Sequence, residues 1–379
     1  VAGIECLEWL LTCQHREVHP LPNAAKGGWG WSDLSGAVPD ADDTPGALLS
    51  LATLRNAAAP GEVEQIDRAA TGGIAWLLAL QNRDGGWPTF CRGWGTLPFD
   101  RSGVDLTAHA LRALCAWRPT LPQRHGHTPV VCPARNDGLG ATGVSPVLPW
   151  KHGQDARGTR QDSLDRPLAQ GEEGDRFAFS AEEVHAAGLP SEKANLSPFS
   201  SAMDRAVSRG LEYLATRQRP DGSWAPLWFG NQHHPEEENP VYGTARVLLA
   251  YRDLDRLDDE PARRGLEWLR SAQNADGGWG GAFAGTSRGS GGEVSSVEET
   301  AVAVEALASA ENGPHPQPTT GRGVTWLVTA VESGRHRETS PIGFYFARLW
   351  YYERLYPLIF SVSALGRALR RWGPEPDRP

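Results

Sequence analysis

The chain has 379 residues, enough for two average domains or for one helical unit around a single core, so length alone does not divide it. Its formal net charge of −9, with no cluster of Lys or Arg, excludes the basic stripe that nucleic-acid binding requires. The five cysteines (Cys6, Cys13, Cys91, Cys115, Cys132) are odd in number and scattered, which excludes a zinc framework or a paired disulfide scaffold and fits free thiols in a reducing compartment.

The N-terminus opens inside a helical pattern of Ile4, Leu7, Leu10 and Leu11, and is read as the continuation of a part encoded upstream of Val1. It lacks the charged-then-apolar order of a signal peptide, and no apolar run reaches the roughly 18–20 residues of a membrane span. The expected location is cytoplasmic, and a peripheral, monotopic contact with the inner membrane stays open.

The first unit is Trp9-Leu10 and Gln14, followed after a gap by Gly27-Gly28-Trp29. Next comes Asp40-Ala41-Asp42-Asp43-Thr44, where three carboxylates stand in four residues at the start of an apolar helix. Gly73, Trp76, Leu77, Gln81 and Gly85-Gly86-Trp87 then form the first full copy of a repeat. It recurs at the same spacing as Gly210, Tyr213, Leu214, Gln218, Gly222-Ser223-Trp224, and as Gly265, Trp268, Leu269, Gln273, Gly277-Gly278-Trp279. Gly323 and Trp326-Leu327 begin a last copy that has lost its Gln and its turn.

Between copies, a Thr and a small residue open an Ala/Leu-rich stretch at Thr44-Pro45, Thr107-Ala108, Thr244-Ala245 and Thr300-Ala301, with Ser363-Ala364 as a fifth. An acid or a Gly stands just ahead of the four Thr, as Asp43, Asp105, Gly243 and Glu299 do, which is helix N-terminal chemistry. Two helices per unit and almost no period-two strand pattern predict an all-α fold, an α/α-barrel or toroid of helix pairs around one core. The interval from Thr107 to Tyr213 is far longer than its counterparts and rich in Pro, Gly, Arg, Asp and His. Residues 1–118 and 202–379 are therefore read as two parts of one barrel, and 119–201 as a low-complexity, disordered insertion without catalytic role.

One Asp suffices to cap a helix, so the Asp40–Asp43 cluster is more than a cap requires. Like charges this close push at least one pKa upward and leave a protonated acid in a dry setting. Taken with the Gln-to-Trp repeats, Asp-x-Asp-Asp-Thr resembles the squalene–hopene and oxidosqualene cyclases, class II terpenoid cyclases that begin by protonating an alkene or an epoxide. The resemblance runs from about Gly3 to Arg371, the insertion excepted, in the order of the family's C-terminal catalytic barrel; the N-terminal barrel is expected upstream of Val1.

The resemblance implies that Asp42 is the proton donor, with Asp40 and Asp43 as supporting partners. It also implies that His109, in Asp105-Leu106-Thr107-Ala108-His109, is hydrogen-bonded to that donor. A cationic His109 would stabilise the carboxylate left after proton transfer. The implied substrate is an apolar polyprene such as squalene, closed to a hopene-like polycycle, with no metal and no cofactor.

Carbocations require a dry cavity walled by aromatic faces. Trp31, Phe90 and Trp228 lie outside the repeat positions, where the resembled enzymes place wall rings, and Tyr345 and Tyr352 keep aromatic positions in the C-terminal stretch. Pro341 and Leu349 stand where squalene–hopene cyclase has rings, and the segment between Phe90 and Asp105 is shorter; both departures bear on the later cation steps and the product.

Other functions use helical barrels. Protein prenyltransferase β-subunits need an Asp/Cys/His zinc site and thioester domains a Cys-Gly-Glu-Gln run, and neither pattern is present. Glycosidases need two carboxylates across a polar cleft, whereas the acids here form one cluster. A degenerate, non-catalytic barrel and a class II cyclase of a shorter prenyl substrate remain as alternatives.

Overall fold

The computed structural model describes residues 2–20, 23–90, 98–118, 200–282, 294–344 and 349–373. Nearly all of the expected insertion, residues 119–199, lies outside the described residues, as does Tyr345.

The described helices are α1 (Ala2–Thr12), α2 (Asp43–Arg55), α3 (Pro60–Leu80), α4 (Val104–Trp117), α5 (Ser200–Thr216), α6 (Pro240–Asp253), α7 (Glu260–Ser271), α8 (Val297–Ala310), α9 (Pro318–Glu332) and α10 (Tyr356–Trp372). Their starts follow from local chemistry. Proline opens α3, α6 and α9, where its missing N–H costs nothing. The Asn239 side chain accepts the Tyr242 N–H at 3.0 Å ahead of α6, and Ser296 accepts the Glu299 N–H at 3.1 Å ahead of α8.

Helices α2, α4, α6, α8 and α10 pack in that order as an inner set, and α3, α5, α7 and α9 lie outside it. Amphipathicity decides the layer. Along α4, α6 and α8 almost every residue is buried, the pattern of a helix enclosed on all sides. In α7 only Ala262, Gly265, Leu266 and Leu269 are buried, a single face at i, i+3, i+4 and i+7. The fold is thus an α/α-barrel, with no helix among the described residues long and apolar enough to cross a membrane.

The repeat is a staple joining one unit to the next. In four successive copies the Gln side-chain amide donates twice. One bond goes to the carbonyl of its own turn glycine and one to a carbonyl of the next outer helix: Gln14 to Gly27 and Ala69, Gln81 to Gly85 and Ala206, Gln218 to Gly222 and Pro261, Gln273 to Gly277 and Thr319, all at 2.7–2.9 Å. The turn's Trp donates its indole N–H to a carbonyl in the preceding outer helix, and its backbone N–H to the Thr that opens the next inner helix. Trp87, for example, reaches Leu77 at 2.8 Å and Thr107 at 3.0 Å. The Gly that begins each copy meets the ring of the previous Trp: a Cβ on Gly210 would sit 3.1 Å from Trp87. Turn glycine Gly85 has φ 90°, and a Cβ there would lie 2.4 Å from the Arg209 carbonyl.

Two short antiparallel sheets were not anticipated. Strands β1 (Gly230–Asn231), β4 (Ile342–Phe344) and β5 (Leu349–Tyr351) form one in the order β1-β4-β5, and β2 (Trp279–Ala282) pairs with β3 (Val294–Ser296). Glycine allows this close backbone approach, since a Cβ on Gly343 would lie 2.1 Å from the Leu349 carbonyl. The segments β1, β3 and β5 precede inner helices α6, α8 and α10, so the sheets lie just ahead of the inner-helix N-termini. Among the described residues Cys6 and Cys13 are free thiols.

Candidate active site

The acid motif sits at the N-terminus of α2. Capping falls to Asp40 alone: its Oδ1 accepts the backbone N–H of Asp42 at 2.8 Å and of Asp43 at 2.7 Å. That frees the other two side chains. Asp43 is hydrogen-bonded to Asp40, carboxyl to carboxyl, while Asp42 turns to α4 and meets His109 Nδ1 at 3.0 Å. The His109 side chain is 5% exposed and that of Asp42 37%, so the acid opens onto space while its partner is enclosed.

That space is a recess of about 60 Å³. Asp42, Asp43 and His109 form its acidic wall; Trp9, Trp29, Phe229, Tyr242, Tyr356 and Phe360 supply rings, and Arg246 a guanidinium. A second cavity of about 430 Å³ shares Phe229, Tyr242, Tyr356 and Phe360 with it and reaches Glu298 and Glu299. Both glutamates are tied down, Glu298 by Ser340 and Glu299 by Gly281, Ser296 and Asn231.

The three carboxyls are electrostatically different. Burial raises Asp43, and the charges of Asp40 and Asp42 raise it further; Asp40 is raised by burial and by Asp42 against the hydrogen bonds it accepts. The Asp40–Asp43 pair therefore holds a proton. Burial alone would raise Asp42 too, but the His109 hydrogen bond and the Arg246 charge pull it below the usual range. His109 is pushed down to about 4 by burial, against its bond to Asp42, with Arg246 and Arg112 adding to the fall. Its Nε2 is buried without a hydrogen-bond partner. Burial thus favours a neutral ring, whose Nδ1–H tautomer would donate to Asp42.

The remaining sequence candidates fall into three groups. Trp31, Phe90 and Trp228 come together with Phe99 in one aromatic cluster, with centroids 5.5–6.3 Å apart. It flanks the acid loop rather than lining the recess: the Trp228 indole donates to Thr89 Oγ1 at 2.8 Å, and the Thr89 carbonyl accepts the Ala41 N–H at 2.8 Å. Asp105 accepts the N–H groups of Leu227 and Trp228, both at 3.1 Å, so it braces that cluster and is not hydrogen-bonded to Asp42 or His109. Tyr352 is 58% exposed in the turn before α10 and lies off the recess; Tyr356 and Phe360, on the first turns of that helix, take the wall instead.

Arg246 is the site residue that sequence reading missed. Its signal was present, as the one charge between Pro240 and Tyr251 in PVYGTARVLLAY, the stretch that opens an otherwise apolar inner helix. Phe229 and Tyr242 carried no comparable signal, since Phe229 adjoins the more conspicuous Trp228 and Tyr242 reads as helix packing.

The family model for the squalene–hopene cyclase C-terminal domain matches residues 4–117 and 193–370. A squalene hopane cyclase of Aspergillus fumigatus is 27% identical over 291 residues, covering 73% of this chain and 32% of that protein. A squalene–hopene cyclase of Bradyrhizobium diazoefficiens is 26% identical over 367 residues, covering 93% and 43%. The chain thus spans less than half the length of these relatives. Superposition on ent-copalyl diphosphate synthase from Streptomyces platensis covers 98% of this chain and 50% of that one, with 16% identity and a TM-score of 0.49. With a match over most of its length, the chain belongs to the squalene–hopene cyclase family and carries that family's C-terminal domain.

Proposed function

We propose that the chain carries the acid half of a proton-initiated polyprene cyclase, with Asp42 as donor. The observation that carries the reading is the division of labour among three adjacent carboxyls: Asp40 caps, the Asp40–Asp43 pair keeps a proton, and Asp42 alone faces both the recess and a buried N–H donor. In the proposed step the Asp42 O–H bond breaks and its proton forms a C–H bond at the less substituted carbon of a terminal alkene. A tertiary carbocation results, and the carboxylate left behind is held by the Nδ1–H of His109. The cation then meets the faces of Phe229, Tyr242, Tyr356 and Phe360, each worth ~1–2 kcal/mol when desolvated.

At about 60 Å³ the recess is smaller than the ~150 Å³ that takes up benzene, so it does not hold a whole polyprene. We take squalene as the leading substrate and shorter prenyl chains as the second. Because Asp42 sits below the usual carboxylate range, it is a strong acid but ionised at neutral pH, and turnover rises as pH falls. Squalene and shorter polyprenes are incubated with the protein, and products are resolved by gas chromatography and mass spectrometry. Cyclic products that vanish in Asp42→Asn support the reading; undiminished product in that variant sinks it.

A further inference from the structure

Arg246 is 7% exposed and lines the recess, with its guanidinium over the Tyr242 ring at 5.7 Å. Two other enclosed arginines are paired directly: Arg112 reaches Asp253 at 2.7 Å, and Arg252 reaches Asp253 at 2.6 Å. Arg246 makes no such pair within 4.0 Å among the described residues. A buried cation without a counter-charge is costly, and a cavity built to pass carbocations is a poor place for one. An anion must therefore act on it from further off.

The nearby carboxylates are accounted for except one. Asp105 is held by the backbone of Leu227 and Trp228, Glu305 by Arg252 and Ser363, and Asp40 and Asp43 by each other. Asp42 faces the same recess as Arg246 and has a single bond, from His109. His109 itself is a poor cation, because charging it would leave an Nε2–H buried with no acceptor.

We propose that Arg246 is a positioning residue, the fixed positive charge that sets the acid strength of Asp42 across the recess, with His109 acting as its neutral N–H donor. The inference rests on the reading of Asp42 as proton donor. The separation matters. Asp253, gripped by two guanidinium groups, is locked as a carboxylate, whereas Coulomb attraction from beyond ion-pair range favours the Asp42 anion without forbidding its protonated form. The charged and titratable groups around Asp42 are Asp40 and Asp43 beside it, Asp105, His109 and Arg112 on α4, Tyr242 and Arg246 on α6, Glu305 on α8, Tyr351 on β5, and Cys13 and Tyr356 at the recess wall. Among these only Arg112 and Arg246 are cations, and Arg112 already faces Asp253.

The test is a titration of the [13C]aspartate-labelled chain by NMR, with the Asp42 signal assigned by its loss in Asp42→Asn. Arg246→Gln should raise the Asp42 midpoint by about one pH unit, and Arg246→Lys should leave it near the wild-type value. The alkaline limb of the cyclisation rate should move in the same direction and be restored by Lys. An unmoved midpoint in Arg246→Gln, or an equal shift in Arg246→Lys, overturns the proposal. Should the Gln variant not fold, Arg246→Met gives the same readout. In the wild-type chain the His109 ring nitrogens provide an independent one: an imidazolium at pH 6.5 overturns the proposal and a neutral Nδ1–H tautomer supports it. The titration needs no turnover, so undiminished product in Asp42→Asn beside a midpoint that shifts as described refutes the cyclase reading and leaves the role of Arg246 standing.

Discussion

Two clusters of buried charge share the inner helices, and they are built on opposite plans. Near the α2 N-terminus three carboxyls, Asp40, Asp42 and Asp43, stand together, and two of them, Asp42 and Asp43, share the recess with one guanidinium, Arg246, and the His109 ring. Deeper along the axis two carboxylates meet two guanidinium groups: Arg112 and Arg252 both bond Asp253, and Arg252 reaches Glu305 at 3.3 Å while Ser363 donates to Glu305 at 2.8 Å. Burial would raise Asp253, yet Arg252 and Arg112 hold it at about 2, so it has no proton to give. Charge balance makes the deeper cluster a structural clasp across α4, α6, α8 and α10. Excess carboxyl makes the upper one a proton store.

The largest effects should come from removing the same charge at each cluster. Asp42→Asn is expected to lower cyclisation by at least ~10³-fold while leaving the thermal melt unchanged, because the amide keeps the shape and loses the transferable proton. Asp253→Asn is expected to do the reverse, costing ~3–5 kcal/mol of stability by leaving the buried Arg112 without its anion and Arg252 with Glu305 alone. Denaturant unfolding and product assays on both variants read this out. Equal loss of stability in the two would erase the distinction.

Acidity should separate the clusters next. The depressed folded pKa of Asp253 gives stability that is present above its unfolded value of ~3.9 and lost as pH falls through about 2. Asp43 is raised, so its contribution has the opposite sign: present below ~3.9 and lost as pH rises through its elevated folded value. Asp43→Asn should therefore stabilise the chain at pH 7.5 relative to pH 5, by about 1 kcal/mol, since the amide keeps a hydrogen bond to Asp40 and never ionises. Urea midpoints at the two pH values check it, and a variant with the wild-type pH slope would show that the upper cluster carries no excess proton.

Much of the architecture was legible because each repeat residue has one local task. Gln81, Gly85, Trp87 and Thr107 are spaced by the turn they build, so identical spacing in sequence became identical hydrogen bonds. The juxtaposition of Asp42 with His109 was legible only through resemblance, since 67 residues separate them and no periodicity relates the two. The charge state of His109 was not legible, because it depends on burial and on Arg246 from a third helix. Nor was the three-stranded sheet, where Gly230 pairs with Gly343 from a segment over a hundred residues away. The staple itself is open to test. Gln81→Ala leaves the Gly85 and Ala206 carbonyls without their buried donor and should cost ~2 kcal/mol by denaturant unfolding, with the pH dependence of activity unmoved.

The smallest effect is expected at Tyr352, and it separates resemblance from position. Sequence places Tyr352 among the wall rings, yet 58% of it is exposed, in the turn before α10, whereas Phe360, one helical turn beyond Tyr356, faces both the recess and the second cavity. A ring in water gives little to a carbocation, because solvent screens the quadrupole that would attract it. Tyr352→Leu should thus change stability by less than ~0.5 kcal/mol, the usual range for an exposed site, and leave the product mixture as it was. Phe360→Leu keeps an apolar wall but loses the π-face, so it should redistribute products without abolishing proton transfer. Product profiles of the two variants decide the matter: a changed mixture from Tyr352→Leu beside an unchanged one from Phe360→Leu would mean that the cation travels along the exposed edge of β5 and not past the rings at the start of α10.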